Sequence, residues 1–201
     1  MNAAQKRIHL AALRLFSEKG NTEVNVSELA QMAGVARGTI YNNLDSTDHL
    51  FEQVAAQLAE EMDDRVAATY QGVDDPALRL AIGVRLYAKR AHAEPHWGRF
   101  LVHFGMTSDA MRKLWMGPPM HDIELGIQAG RFRVKPDQAP AALGLLAGVT
   151  VSAIVLVLEG FRTWRDAGSD ATELVLRGLG LNDEDARTLA VAELPMLVEI
   201  D

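Results

Sequence analysis

A glycine at position 34 divides two short helical patterns, and that arrangement constrains the chain more than any other feature. Before it, Ser27 is read as an N-cap and Glu28 lies where the helix dipole favours negative charge. Leu29, Met32 and Ala33 form an apolar face at i, i+3, i+4 spacing, and the small Ala30 lets another helix approach. Gly34 can take a positive φ just past the helix end, and Val35 can fill the corner from beneath. A second short helix over Arg37 to Leu44 then buries Ile40 and Leu44 one turn apart.

The other side of that second helix carries Arg37, Thr39, Asn42 and Asn43, with Tyr41 beside them. Two short helices set across a glycine turn can place one helix in a DNA major groove. The chemistry of the face fits that use. Arginine makes a bidentate contact to guanine and asparagine to adenine, and Thr and Tyr hydroxyls hold phosphate oxygens. Gly38 removes bulk near the helix start, where backbone N–H groups can meet a phosphate. A pair of solvated surface helices remains the alternative at this point, because glycine-turned helix pairs also occur in bundles.

The segment from Arg7 to Phe51 resembles the DNA-binding domain of the TetR family of one-component transcriptional regulators. Matching elements are Ala11-Ala12-Leu13-Arg14-Leu15-Phe16 with Gly20, then Val26-Ser27-Glu28-Leu29-Ala30, Ala33-Gly34-Val35, Gly38-Thr39-Ile40-Tyr41 and Leu50-Phe51. The resemblance implies that Thr39 and Tyr41 contact DNA and that the helix ending at Leu44 is the recognition helix. Two departures stand out. The family's aromatic or His followed by Phe after the tyrosine is replaced by Asn42, Asn43 and Leu44, and its Ser-Lys at the next helix start is replaced by Ser46-Thr47-Asp48. Thr47 can still donate a hydrogen bond, but a positive charge is gone, and Asp45 and Asp48 repel phosphate. Weaker non-specific affinity and a shallower salt dependence are expected than in a lysine-bearing relative. The DNA-contacting set is therefore Ser27, Arg37, Gly38, Thr39, Tyr41, Asn42, Asn43 and Thr47.

Charge placement agrees. The chain as a whole has a formal net charge of −7. Met1 to Leu44 instead carries Lys6, Arg7, Arg14, Lys19 and Arg37 against Glu18, Glu23 and Glu28, a net excess of two positives. That fits a DNA-contacting head on an acidic body. There is no cysteine, so neither a disulfide framework nor thiol chemistry is available. Met1 to Leu15 reads as an amphipathic helix rather than a signal segment, so a cytoplasmic protein is expected.

The rest reads as helix, with no sustained period-two alternation. The first helix covers about Ala3 to Lys19, with Ile8, Ala12, Leu15 and Phe16 facing a core. A fourth follows the cap Ser46 and runs to about Tyr70, its apolar positions Leu50, Val54, Leu58, Met62 and Val66 spaced by four. Asp75 and Pro76 start the next, which ends before Pro95. Further helices are expected over Pro95 to Phe104, Ser108 to Met116, Met120 to Gly130, Ala139 to Leu158, Ala171 to Leu179 and, capped by Asp183, to Ala192. The fold class is all-α, with a three-helix head over residues 1–46 and a helical body over 47–201.

Ala141 to Leu158 carries no charge and approaches transmembrane length. Thr150, Ser152, the flanking Asp137 and Glu159 and the lack of a second span favour a helix buried on most sides, with no membrane partner. Gly144 and Gly148 would let two backbones approach closely. Gly130-Arg131-Phe132-Arg133 with Pro136 and Asp137 also resembles the family's segment before its dimerisation helices. The resemblance implies a homodimer through the helices at Ala139 to Arg165 and from Thr172 onward, with Gly144, Gly148, Val151 and Val155 at the interface. Two recognition helices would then stand about 34 Å apart.

Trp97, Phe100, Phe104, Met106, Met111, Trp115, Met116 and Met120 crowd one region, and adaptable methionines suit an apolar ligand site. Arg85, Tyr87, His103 and His121 can orient a ligand there. The expected pocket set is Arg85, Trp97, Phe100, His103, Phe104, Met111, Trp115 and Met120, although the same side chains can simply fill a core. The resemblance implies a hydrophobic or amphipathic effector that releases a repressor from a double-stranded operator. The competing reading is a helical small-molecule or metal-binding protein, or an enzyme, that ignores DNA. His92, His96 and His103 with Glu94 hint at a metal, but Pro95 breaks the shared face and no second cluster completes a ligand set. No nucleophile motif, phosphate loop or dinucleotide fingerprint appears, so neither catalysis nor a cofactor is expected.

Overall fold

Capping residues and glycines cut the chain into helices at nearly every point where the sequence changes character. The computed structural model describes residues 2–44, 46 and 49–198, and among these it has eleven α-helices and no strand. They are α1 (Ala3–Lys19), α2 (Val26–Ala33), α3 (Arg37–Asn43), α4 (Leu50–Thr69), α5 (Pro76–Ala93), α6 (Pro95–Phe104), α7 (Asp109–Met116), α8 (Pro118–Gln128), α9 (Ala139–Leu158), α10 (Trp164–Gly178) and α11 (Asp183–Val191). A 3₁₀ turn, Pro136–Gln138, leads into α9.

Several starts and stops differ from the sequence reading. The α2 cap is Asn25, whose side chain accepts from the Ser27 N–H, so Ser27 is already inside the helix. The α4 helix begins at Leu50 rather than directly after Ser46. Thr163 caps α10 by accepting from the Asp166 N–H, which starts that helix seven residues before Ala171. Asn182, not Asp183, caps α11. In each corrected cap the side chain stands two or three residues before the N–H it accepts, the spacing that satisfies the helix's first orphan donors.

The head packs α1 against α2 and α3, and α1 also packs on α4 and α6 of the body. Ile8, Ala12, Leu15 and Phe16 are buried, as their spacing requires. Along α4, Leu50, Val54, Met62 and Val66 are buried while Leu58 is half-buried. Phe16, Phe51, Phe100 and Phe104 form a cluster at the seam, with Phe16 and Phe51 edge-to-face at 5.3 Å and Phe51 and Phe104 at 4.9 Å. Burial of four such rings contributes several kcal/mol, about 1.5–3 each, so head and body share one core.

In the body, α5 and α10 form the central pair, flanked by α9, α8 and α11. Arg90 is buried and ties α5 to its neighbours. Its guanidinium meets Glu61 at 3.0 Å and Glu94 at 3.2 Å, and stacks 4.6 Å from the Trp97 ring. Arg131 joins Asp75 and Asp185, closing the α8–α9 connection over the starts of α5 and α11. Phe132 lies so close to Gly126 that a Cβ there would sit 2.1 Å from the ring. The α9 helix is less enclosed than expected. Only 39% of its most apolar window is buried, at a mean hydropathy of 2.5. It packs through Ala142, Leu146, Ala153 and Ile154, while Gly144, Leu145, Gly148, Ser152 and Val155 form an open stripe.

Candidate functional site

The turn between α2 and α3 is held from outside itself. Gly34 takes φ +63°, and its N–H closes onto the last turn of α2. Arg7 on α1 then reaches across. Its Nε and Nη2 donate to the Ala33 carbonyl at 3.0 and 2.7 Å, and Nη2 also donates to the Gly34 carbonyl. Helix C-terminal carbonyls carry partial negative charge, so a guanidinium there satisfies acceptors and complements the dipole. Lys19 and Glu28 add a second link between α1 and α2. The sequence reading counted Arg7 only among the positive charges of the head, because its partner is a turn 26 residues away.

On α3, Ile40 is fully buried and Leu44 half-buried, which fixes the outward face. Arg37, Gly38, Tyr41 and Asn42 are exposed, Tyr41 by 67%, and among the described residues nothing beyond the helix's own backbone lies within 4 Å of a Cβ built on Gly38. Thr39 and Ser27 are half-buried at its edge. Asn43 is more engaged than its neighbours: its amide donates to the Thr39 carbonyl at 2.8 Å, and its side-chain oxygen accepts from Asn2 at 3.1 Å. Thr47 lies outside the described residues. Met32 does not join Leu29 and Ala33 beneath the turn. It sits at the rim of a groove of about 510 Å³ between α1, α2 and the α5–α6 corner.

The residues expected to line one ligand site are distributed among several places. Phe100 and Phe104 belong to the ring cluster at the head–body seam. Trp97 packs on Tyr87 and Arg90. Met111 is fully buried and Met120 half-buried. His103 is exposed, its ring against Gly20. Arg85 donates to the Ala192 carbonyl at 2.6 Å, on the side of the body that carries Trp164. The histidines do not converge: His96 turns to α1, within 3.1 Å of Arg14 and 3.3 Å of Ser17, while His92 is exposed.

Trp115 lines a small, partly open cavity of about 30 Å³ between α4, α5, α7, α8 and α9. Asp63, Tyr70, Tyr87 and Thr150 supply its polar groups, and Val66, Leu80 and Leu146 much of its apolar wall. Burial pushes the Asp63 carboxyl up to about 7, with Asp64 adding to the rise. Both tyrosine hydroxyls are pushed up as well, first by burial. Nearby Asp122 is also raised by burial, but Arg79 opposes that with a hydrogen bond at 3.2 Å. Asp63 has a readable signal in hindsight: it shares an α-helical face with Val66 and Tyr70, three and seven residues on.

Comparison with known proteins bears on both regions. A family model described as "Bacterial regulatory proteins, tetR family" matches residues 8–54, and one described as "Tetracyclin repressor-like, C-terminal domain" matches residues 75–192. The HTH-type transcriptional repressor KstR2 of Rhodococcus jostii is 26% identical over 140 residues, 61% of this chain. The match spans 64% of that relative's length. Among solved structures, RolR in complex with resorcinol superposes with a TM-score of 0.73 at 23% identity, covering 97% of this chain and 96% of that one. Bacillus subtilis FadR in complex with stearoyl-CoA gives 0.69 at 17% identity, covering 88% and 99%. At these identities the structural likeness is one of fold.

Proposed function

The chain belongs to the TetR family of bacterial regulatory proteins, and on that premise we propose that it is a cytoplasmic, ligand-responsive transcriptional repressor that binds a palindromic operator as a homodimer. The observation that carries this reading is the clamped turn: Arg7 fixes Gly34 and the end of α2, so α3 presents Arg37, Tyr41 and Asn42 outward on a net-positive segment. Base edges are read by Arg37 and Asn42, and the Tyr41 and Thr39 hydroxyls, with Ser27, Gly38 and Thr47, hold phosphates. Asn43 orients α3 through Thr39 and Asn2.

The open stripe on α9 supports the dimer. Among the described residues, nothing beyond the helix's own neighbouring backbone lies within 4 Å of a Cβ built on Gly144 or Gly148. The subunit's own packing therefore does not call for these glycines, and close approach of a second backbone does. Val155 and Leu145 extend the stripe, Val151 lies at its edge, and Leu174 on α10 is exposed by 61%. Two copies joined there set two α3 helices one DNA turn apart.

The effector acts through α4. Phe51 and Val54 of that helix pack at the head–body seam, and Asp63 of the same helix lines the body cavity about 18 Å further along, at 1.5 Å per residue. A ligand that fits the cavity only with α4 displaced changes the head spacing and weakens DNA binding. It must prefer one spacing, since equal affinity for both shifts nothing. Relatives with small molecules bound, resorcinol in RolR and stearoyl-CoA in FadR, support an effector of this general kind.

Selection of bound duplexes from a random library, with and without metabolite extract, tests the reading. Enrichment of a two-fold symmetric site that extract releases is expected, and indifference to every duplex at low salt refutes it. Arg37→Ala should then lose about 1–3 kcal/mol at one base position. A uniform loss on all sequences would reassign Arg37 to phosphate.

A further inference from the structure

We propose that the groove where α5, the start of α10 and the C-terminal segment meet is a binding site for a small organic dianion, a phosphate monoester or a dicarboxylate. It shares no lining residue with the Asp63 cavity, and it does not rest on the regulator reading.

The groove has a volume of about 430 Å³. Arg85 and Lys89 reach it from α5, and Trp164, Arg165 and Ser169 from the first two turns of α10. Arg85 and Lys89 are four residues apart, as are Arg165 and Ser169, so each pair shares one helical face. Val191, Ala192, Glu193 and Leu194 complete the wall.

Its cations lack the partners that their neighbours have. Arg79, Arg90, Arg131, Arg162 and Arg177 of the body each hold an aspartate or glutamate. Arg85, Lys89 and Arg165 hold none among the described residues. The acids close by in sequence are engaged: Asp166 accepts from the Thr163 hydroxyl at 2.8 Å, and Asp170 pairs with Arg162. Glu193, which is exposed, is the one acid lining the groove, so three cations face a single carboxylate. Most of the chain carries an excess of acid, and here the sign is reversed.

The fold also holds these groups in place. Gly168 lets α10 lie against the Arg85 stem, since a Cβ there would stand 3.3 Å from the Arg85 Cα and Cγ. Nη1 of Arg85 donates to the Ala192 carbonyl at 2.6 Å. Lys89 Nζ and the Arg165 guanidinium both lie over the Trp164 ring, 5.7 and 4.3 Å from its centroid. The other Arg85 N–H groups, the Lys89 ammonium, the Arg165 guanidinium and the Ser169 hydroxyl form no hydrogen bond to a described residue. No buried side-chain polar atom among those residues lacks a partner, so these donors are open to a ligand. Donors fixed in advance cost less entropy to engage.

Charge selects the ligand class. A cation is repelled, a neutral molecule compensates nothing, and a monoanion offsets only part of the excess. A dianion matches it, and phosphate or carboxylate oxygens accept charge-assisted bonds from a guanidinium fork. The space suits a small molecule, with Ala192 and Leu194 beside its carbon part.

The test uses the full-length protein with phenyl phosphate, phthalate and benzoate, one ring bearing two kinds of dianion and one monoanion. Calorimetry at pH 8 and fixed ionic strength should show at least one dianion binding about tenfold tighter than benzoate, and weakening as salt is added. Whichever dianion binds tighter names the source, phosphate or carboxylate. Arg165→Gln, at an exposed position, should cost about tenfold, the loss of a charge-assisted hydrogen bond, and Arg85→Gln at least as much. Glu193→Gln should instead tighten the dianion a few-fold, which a damaged fold would not do. Dianion binding should change tryptophan fluorescence, and Trp164→Phe should abolish that change. Benzoate binding as tightly as both dianions, no dianion binding at millimolar concentration, unchanged affinity in Arg165→Gln and Arg85→Gln, or a fluorescence change that survives in Trp164→Phe overturns the proposal.

Discussion

The turn at Gly34 and the cavity at Asp63 treat polar groups in opposite ways. At the turn, the end of α2 has its carbonyls met by Arg7 and its glycine already in the left-handed conformation. At the cavity, the half-buried Asp63 carboxyl and Tyr70 phenol stand beside the buried Tyr87, and Asp63 has no cation paired with it among the described residues. A reading surface must keep its shape when the operator arrives, so its acceptors are satisfied in advance. The Asp63 carboxyl, by contrast, is paired with no cation among the described residues and is raised by partial burial.

Substitutions at the two regions should therefore have opposite signs. The largest loss is expected at Gly34→Ala. Its φ of +63° penalises any Cβ, and that atom would stand 3.1 Å from the Arg7 guanidinium. About 3 kcal/mol of head stability should go, combining the left-handed cost with a weakened clamp. Chemical denaturation with hydrogen exchange in α2 and α3 reads it, and an unchanged midpoint would break the idea that the turn is pre-satisfied. Arg7→Ala should follow at about 2 kcal/mol, with operator affinity falling although Arg7 need not touch DNA. Arg7→Lys should restore only part, because one ammonium cannot serve two carbonyls with the same planar fork.

On the body, Gly148→Leu should leave the subunit's helical content intact and raise the dimer dissociation constant at least tenfold, about 1.4 kcal/mol. An unchanged sedimentation profile would remove α9 from the interface. The smallest effect has the reverse sign. A carboxyl whose folded pKa is raised binds a proton in the native state after the unfolded chain has lost it, so stability falls as pH climbs from about 4 to about 7. Asp63→Asn removes that fall. It should stabilise the ligand-free protein by about 1 kcal/mol at pH 8, a figure discounted because the group is partly open to solvent, and change little at pH 4. Melting temperatures at both values measure it. Equal shifts at both would mean that Asp63 carries no penalty, and the contrast with the turn would lose its second half.

The helices and the turn were legible in the sequence because local rules set them. Gly34, Pro95 and Asp75 act within a few residues, and the spacing of Ile8, Ala12, Leu15 and Phe16 follows from the helical period alone. The caps were misplaced by two residues at Ser27 and by one at Asp183, since neighbouring polar residues compete for the same orphan N–H groups. The ligand region was harder. Density of aromatics and methionines marked apolar mass, yet Phe100 and Phe104 went to the seam with Phe16 and Phe51 while Trp115 went to the cavity. Composition does not say which helix a ring will meet.

By itself, then, the sequence determined an all-helical chain with a glycine-turned, net-positive head and an uncharged helix bearing two spaced glycines, because caps, periodicity and charge act over a turn or two. Only tertiary structure decided that Arg7 reaches the end of α2, that α9 keeps one face open, and that Asp63 and Tyr87 share a cavity while Asp122 finds Arg79. Those outcomes depend on which surfaces meet across tens of residues, and on which buried polar groups find a partner once they do.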